Sequence, residues 1–171
     1  MPQPIPDQFG DAPFTVREAL AVGITRRELQ GPKFRRVIHS VYVPAAVPDT
    51  IELRADAAGK LLPATTVYRG LTAAQLLGIP VPEELTVAAM VAPGERRPRV
   101  QALSISECQY PQSAVMNVNG RRLMSPELLF IDLANTLSTE DLIVAGDALL
   151  NAGWTSTELL HVAVRSCNGP A

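Results

Sequence analysis

The chain has 171 residues, 47% of them hydrophobic and only 5% aromatic, with 15 prolines, 11 glycines and a formal net charge of −2. That length suits one domain or two small ones, and the composition predicts an aliphatic core cut by many turns. The numbers exclude a disulfide scaffold, since there are only two cysteines, Cys108 and Cys167, and also a uniformly basic surface or an apolar run long enough to span a membrane.

Charge is unevenly placed. Residues 1–122 hold 14 Lys and Arg against 11 Asp and Glu, whereas residues 123–171 hold one basic residue, Arg165, against six acidic ones. An asymmetry of this kind fits a molecule that meets a polyanion with one end, and it also fits an ordinary acidic helical region beside a neutral one. Residues 1–13 are Pro-rich and expected to be irregular. They lack a basic segment followed by an apolar run, so they do not read as a secretory signal, and a cytoplasmic protein is expected.

Residues 14–48 carry the clearest pattern. Thr15 with Glu18, and Thr25 with Glu28, have capping-box spacing, and Gly23 between them suits the left-handed residue that ends a helix. Val16, Ala19 and Leu20 form an apolar stripe on the first helix. On the second, Leu29 is expected to face the core while Arg26, Arg27 and Gln30 face solvent, and Gly31-Pro32 ends it. A hairpin follows, Phe34–Ile38 and Val41–Val43 turning at His39-Ser40, with clean apolar alternation only in the second strand. Two helices and a basic hairpin in this order predict a winged helix-turn-helix. On that reading Arg26, Arg27 and Gln30 meet base edges, and Lys33, Arg35 and Arg36 grip phosphates from the wing, with His39 at its tip. Clustered arginines on a short helix and hairpin also occur as a solvated face with no ligand.

After a connector, Asp49 is expected to cap a helix in which Ile51, Ala55, Ala58 and Leu62 form the core stripe, ended by Pro63. Val67-Tyr68 reads as extended, Leu71–Leu77 as a helix closed by Gly78, Leu85–Val91 and Val100–Ser106 as strands around a basic loop, Pro93–Pro98. Val115–Val118 and Arg121–Met124 flank Asn119-Gly120, the strongest hairpin signal present. Arg96, Arg97, Arg99, Arg121 and Arg122 sit near these tips and would form a second basic patch if the tips gather. Ser125-Pro126-Glu127, Ser138 with Asp141, and Thr155 with Glu158 each open a helix, and residues 166–171 are expected to be a disordered tail.

Catalytic equipment is sparse. There is no GxxxxGK[ST] loop, no GxGxxG after a strand and no GxSxG elbow. The two histidines, His39 and His161, are far in sequence from both cysteines, so no catalytic residue, metal ligand set or cofactor site is read. Asp132 and Asp147, inside apolar helices, read as hydrogen-bond anchors. The expectation is a protein that is not an enzyme.

Several stretches together resemble the AbiEi-type antitoxin family of type IV toxin–antitoxin systems, as seen in the N-terminal half of actinobacterial members. They are Phe14-Thr15-Val16-Arg17-Glu18-Ala19-Leu20 through Gly23, Phe34-Arg35-Arg36, Val41-Tyr42-Val43-Pro44, Leu71-Thr72-Ala73-Ala74 with Leu77-Gly78, Val118-Asn119-Gly120, Ser125-Pro126 and Ile131-Asp132-Leu133-Ala134. The resemblance implies an α+β protein: an N-terminal winged helix-turn-helix over 14–48, then a small mixed α/β antitoxin domain over 49–165 with antiparallel hairpins and C-terminal helices. It further implies a DNA-binding transcriptional autoregulator that represses its own operon, with operator contacts on Arg26, Arg27, Lys33, Arg35 and Arg36. Its partners would be operator DNA and, without a stable complex, a nucleotidyltransferase-like toxin. Many similar proteins continue into a domain resembling very-short-patch-repair endonucleases. The alternative is accordingly a non-catalytic interaction or regulatory module left from a larger nuclease-type protein.

Overall fold

A computed structural model describes residues 9–167. Its elements run β1 (Phe14–Thr15), α1 (Val16–Ala21), α2 (Arg26–Leu29), β2 (Phe34–Ile38), β3 (Val41–Pro44), α3 (Ile51–Gly59), β4 (Val67–Tyr68), α4 (Gly70–Leu76), β5 (Val87–Val91), β6 (Leu103–Glu107), β7 (Val115–Val118), β8 (Arg121–Met124), α5 (Pro126–Leu133), α6 (Thr139–Asn151) and α7 (Thr157–Cys167). The class is mixed α+β, with two sheets and antiparallel hairpins.

The smaller sheet has the order β1-β3-β2 and is antiparallel throughout. The irregular alternation of β2 has a cause: its register slips between Arg36 and Ile38. A bulge there lets both Val37 and Ile38 be buried, which strict alternation forbids. One side of this hairpin supports a small cluster of Phe14, Ala19, Ile24, Leu29 and Phe34 beneath α1 and α2. Phe14 stacks on Phe9 (centroids 4.2 Å apart) and meets Phe34 edge-on at 5.7 Å. The other side does not end in solvent. Val37, Ile38, Val41 and Val43 join the main core with Ile51, Ala55 and Ala58 of α3.

The larger sheet has the order β6-β5-β4-β8-β7. The Asn119-Gly120 turn forms as expected, with positive φ at both residues (48° and 76°), and β7 and β8 pair antiparallel from Val118–Arg121 outward. The antiparallel hairpin is accompanied by parallel pairs that the sequence reading did not specify. β5 and β6 run parallel, joined by residues 92–102 with no helix, and β4 also lies parallel to β8. Inner strand β5, between β6 and β4, is buried at Val87, Ala89, Met90 and Val91, as a strand covered on both faces must be.

Two helix starts differ from the sequence reading. Thr50, not Asp49, caps α3, accepting from the Leu53 N–H, because Asp49 is drawn to two arginines instead. Ser125 stands at the cap of α5 as expected, with Pro126 in the first turn, though its side chain makes no capping bond. Ser156 accepts from the Leu159 N–H at the start of α7, while the Thr155 hydroxyl donates to Glu127 at 2.6 Å. α7 also includes Ser166 and Cys167, which were expected in the tail; residues 168–171 and 1–8 lie outside the described part.

Thr72 is the buried polar side chain that joins a helix to the sheet. Its hydroxyl donates to the Thr86 carbonyl (3.4 Å) and accepts from the Ala88 N–H (2.8 Å), so α4 is fixed against the start of β5.

Candidate nucleic-acid interface

Both capping boxes close. In the first, the Thr15 hydroxyl accepts from the Glu18 N–H (3.2 Å) and Glu18 Oε2 accepts from the Thr15 N–H (2.6 Å). In the second, the Thr25 hydroxyl accepts from the Glu28 N–H (3.2 Å) and Glu28 Oε2 accepts from the Thr25 N–H (2.7 Å). Gly23 ends the first helix at φ 88°. The consequence for charge is direct. Glu28 is the only acidic residue on α2, and its carboxylate is engaged at its own helix start. Its pKa lies below the usual glutamate range because the Thr25 hydroxyl and then the Thr25 backbone donate to it.

Arg26, Arg27 and Gln30 are exposed on the outer side of α2, while Leu29 is only 3% exposed against the phenylalanine cluster. Neither arginine enters an ion pair among the described residues. α2 is a single turn of four residues, however, about 6 Å long at 1.5 Å per residue, so it presents fewer side chains than a long recognition helix.

The hairpin divides the basic residues expected on it. Arg36 is exposed and Lys33 half-buried. Arg35 departs from the expected phosphate grip. Strand alternation puts it opposite buried Phe34, facing the connector to α3. There its Nε and Nη2 donate to the Val47 carbonyl (3.2 and 2.8 Å) and its Nη1 lies 3.6 Å from Asp49. Asp49 is also held by both Nε (2.9 Å) and Nη2 (2.7 Å) of Arg54, whose hydrogen bonds and charge, followed by the charge of Arg35, hold that carboxyl below its ordinary range. Arg35 is thus a bracket between hairpin and connector.

The second set of arginines does not gather into one patch. Arg121 pairs with Asp56 through two contacts of 2.9 Å, and Arg97 with Glu107 at 3.0 Å. Arg121 and Arg122 border a groove with Tyr68, whereas Arg99 lies beside the hairpin, in a cavity it shares with Arg36 and His39. Sequence reading named Arg99 but had no signal for that neighbour.

A separate cleft of about 430 Å³ lies over β5 and β6 and is lined in part by Arg69, Ser104, Ser106, Asp132 and Asn135. Asp132 accepts both an Nε bond (3.0 Å) and an Nη2 bond from Arg69, whose Nη1 donates to Ser106. That engagement with Asp132 raises the arginine's pKa further, so the carboxylate acts here as an anchor for a cation. Among the described residues, no three His, Cys, Asp or Glu side chains are placed to hold a metal ion, and no helix is long and apolar enough to cross a membrane.

Compared with known protein-family models and with curated proteins, the chain matches none.

Proposed function

We propose that this protein is a DNA-binding regulator of the antitoxin type, with residues 14–48 acting as a winged helix-turn-helix and no catalytic role. One observation carries the reading: Arg26 and Arg27 stand exposed beside Gln30 on α2 with no ion pair among the described residues, while Glu28, the only acid of α2, is held at the Thr25 cap. Exposed Arg36 on β2 and the pairing of β1 with β3, which ties the hairpin to the start of α1, support it further. Guanidinium groups suit both guanine edges and phosphates. The operator would be DNA near the protein's own gene. The remaining elements, with their acidic C-terminal helices, would serve the antitoxin role toward a nucleotidyltransferase-like toxin.

The test is an electrophoretic shift series over increasing salt, using duplexes from upstream of the gene and scrambled controls. Binding is expected to favour the upstream duplex and to weaken steeply with salt. Arg26→Ala with Arg27→Ala should erase that preference. Equal binding to all duplexes by the parent protein rejects the regulator reading.

A second reading, an interaction module, is favoured by the apolar residues left exposed on α6 and α7: Ile143, Val144, Leu159 and Val162 are 51–62% exposed. Capture of a neighbouring gene product by the parent, lost in Ile143→Asp with Val162→Asp, would select it.

A further inference from the structure

We propose that the connection between β5 and β6 supplies a second phosphate grip, with Arg99 closing a groove against Arg36 and His39 of the hairpin. This rests on the DNA-binding reading and extends its footprint to residues outside 14–48. A cavity of about 520 Å³ opens between the two segments, with Arg36 and His39 on one wall and Arg99 and Gln101 on the other. All four side chains are exposed, and no Asp or Glu lines the cavity. Of the carboxylates nearest along the connection, Glu95 accepts from the Ala92 N–H (3.0 Å) and from the Thr65 hydroxyl, and Glu107 holds Arg97. Neither forms an ion pair with Arg99 among the described residues, although Glu95 lines a neighbouring cavity with it.

The groove is built rather than accidental on the sheet side. The Val87 N–H donates to the Ala102 carbonyl (2.9 Å) and the Leu103 N–H to the Val100 carbonyl (2.9 Å), so the base of the connection is fixed to the strands. A pocket walled by two guanidinium groups, an imidazole and an amide, with no counter-charge, selects an anion rich in oxygen acceptors. Because Arg36 of this wall belongs to the hairpin of the DNA-binding reading, the phosphodiester backbone of a duplex is its occupant. Backbone contacts of this kind position a protein without reading sequence.

The experiment compares the parent, Arg99→Ala, and Arg26→Ala with Arg27→Ala for duplex binding across a salt series. Arg99→Ala should bind every duplex more weakly, keep the parent's preference among them, and reduce the slope of log affinity against log salt by about 1. A four-fold rise in salt then weakens the variant about 3.5-fold less than the parent. If the parent binds duplex and Arg99→Ala matches it in affinity and slope, the groove is no DNA contact while the regulator reading stands. If the parent binds no duplex, both readings fall. Inorganic phosphate provides the remaining arm. Saturable amide shifts at residues 36, 39 and 99 at millimolar phosphate, with duplex binding unchanged by Arg99→Ala, would make the groove a small-anion site and overturn the proposal.

Discussion

Two neighbouring arginines on β2 illustrate how one residue's step along a strand decides a role. Arg35 and Arg36 are chemically alike, yet Arg35 donates twice to the Val47 carbonyl and reaches Asp49, while Arg36 is exposed beside Arg99. Hydrogen bonds from a charged donor contribute about 1.5–3 kcal/mol, and partial exposure moves the expected value toward about 1 kcal/mol. Arg35→Ala should therefore lower the unfolding free energy by about 1 kcal/mol with little change in the salt dependence of DNA binding. Arg36→Ala should do the reverse. Urea denaturation read alongside a shift assay checks both, and matching profiles for the two variants would refute the division of roles. The strand alternation that separates them is visible in sequence. What is not visible is which face the connector covers.

At the scale of elements, Gly146 in α6 is informative. Glycine within a helix is ordinarily worse than alanine by about 0.5–1 kcal/mol. Here an added Cβ would stand 2.9 Å from Phe130 Cε2 of α5. Overpacking of this sort costs about 1–3 kcal/mol, so Gly146→Ala is expected to destabilise despite better helix propensity. A rise in the urea midpoint would show that the ring yields easily.

Ion pairs at the two ends of α3 tie it to α1 and to the hairpin. Lys60 donates to Glu18 at 2.9 Å, and Asp49 anchors Arg35 and Arg54 at the head of α3. Burial alone pushes the Glu18 carboxyl up, but hydrogen bonds from the Thr15 backbone and Lys60, with the Lys60 charge, bring it below the usual range; Asp49 is lowered chiefly by Arg54. Carboxylates depressed in the folded state stabilise it above their ordinary pKa, and that stabilisation disappears as pH falls through the folded value. Acidification below about pH 4 should therefore loosen α1, α2 and the hairpin before the larger sheet. Amide exchange at Ala19, Ile24 and Leu29 is expected to accelerate ahead of that at Val87 and Ala89; simultaneous loss of protection would count against these ties.

Across the whole molecule, the boundary near residue 48 is a boundary of sequence pattern and not of packing. The hairpin is buried on both sides, by the phenylalanine cluster and by the main core. A fragment of residues 9–48 would expose Val37, Ile38, Val41 and Val43 and retain only five buried residues of its own cluster. Units of about 40 residues rarely bury enough surface to fold unaided. The fragment should accordingly give a collapsed amide proton spectrum and no duplex binding, whereas residues 9–167 should give a dispersed spectrum and bind duplex. A dispersed spectrum from the fragment would show that the small cluster suffices.

The sequence by itself determined what depends on a few adjacent residues. The two Thr–Glu boxes, the Asn119-Gly120 turn, the apolar stripe of Ile51, Ala55 and Ala58, and the outward set of Arg26, Arg27 and Gln30 all follow from spacing and side-chain chemistry, because caps and turns close over three or four positions. Only the tertiary structure decided the inward turn of Arg35, the tie from Arg69 to Asp132, the parallel run of β5 with β6 and the meeting of Arg99 with His39. Except for Arg35, whose partners lie in the connector some twelve residues on, these join segments distant in the chain or depend on strand direction. No local period encodes such pairings, which are set by how the hairpin and the larger sheet share one core.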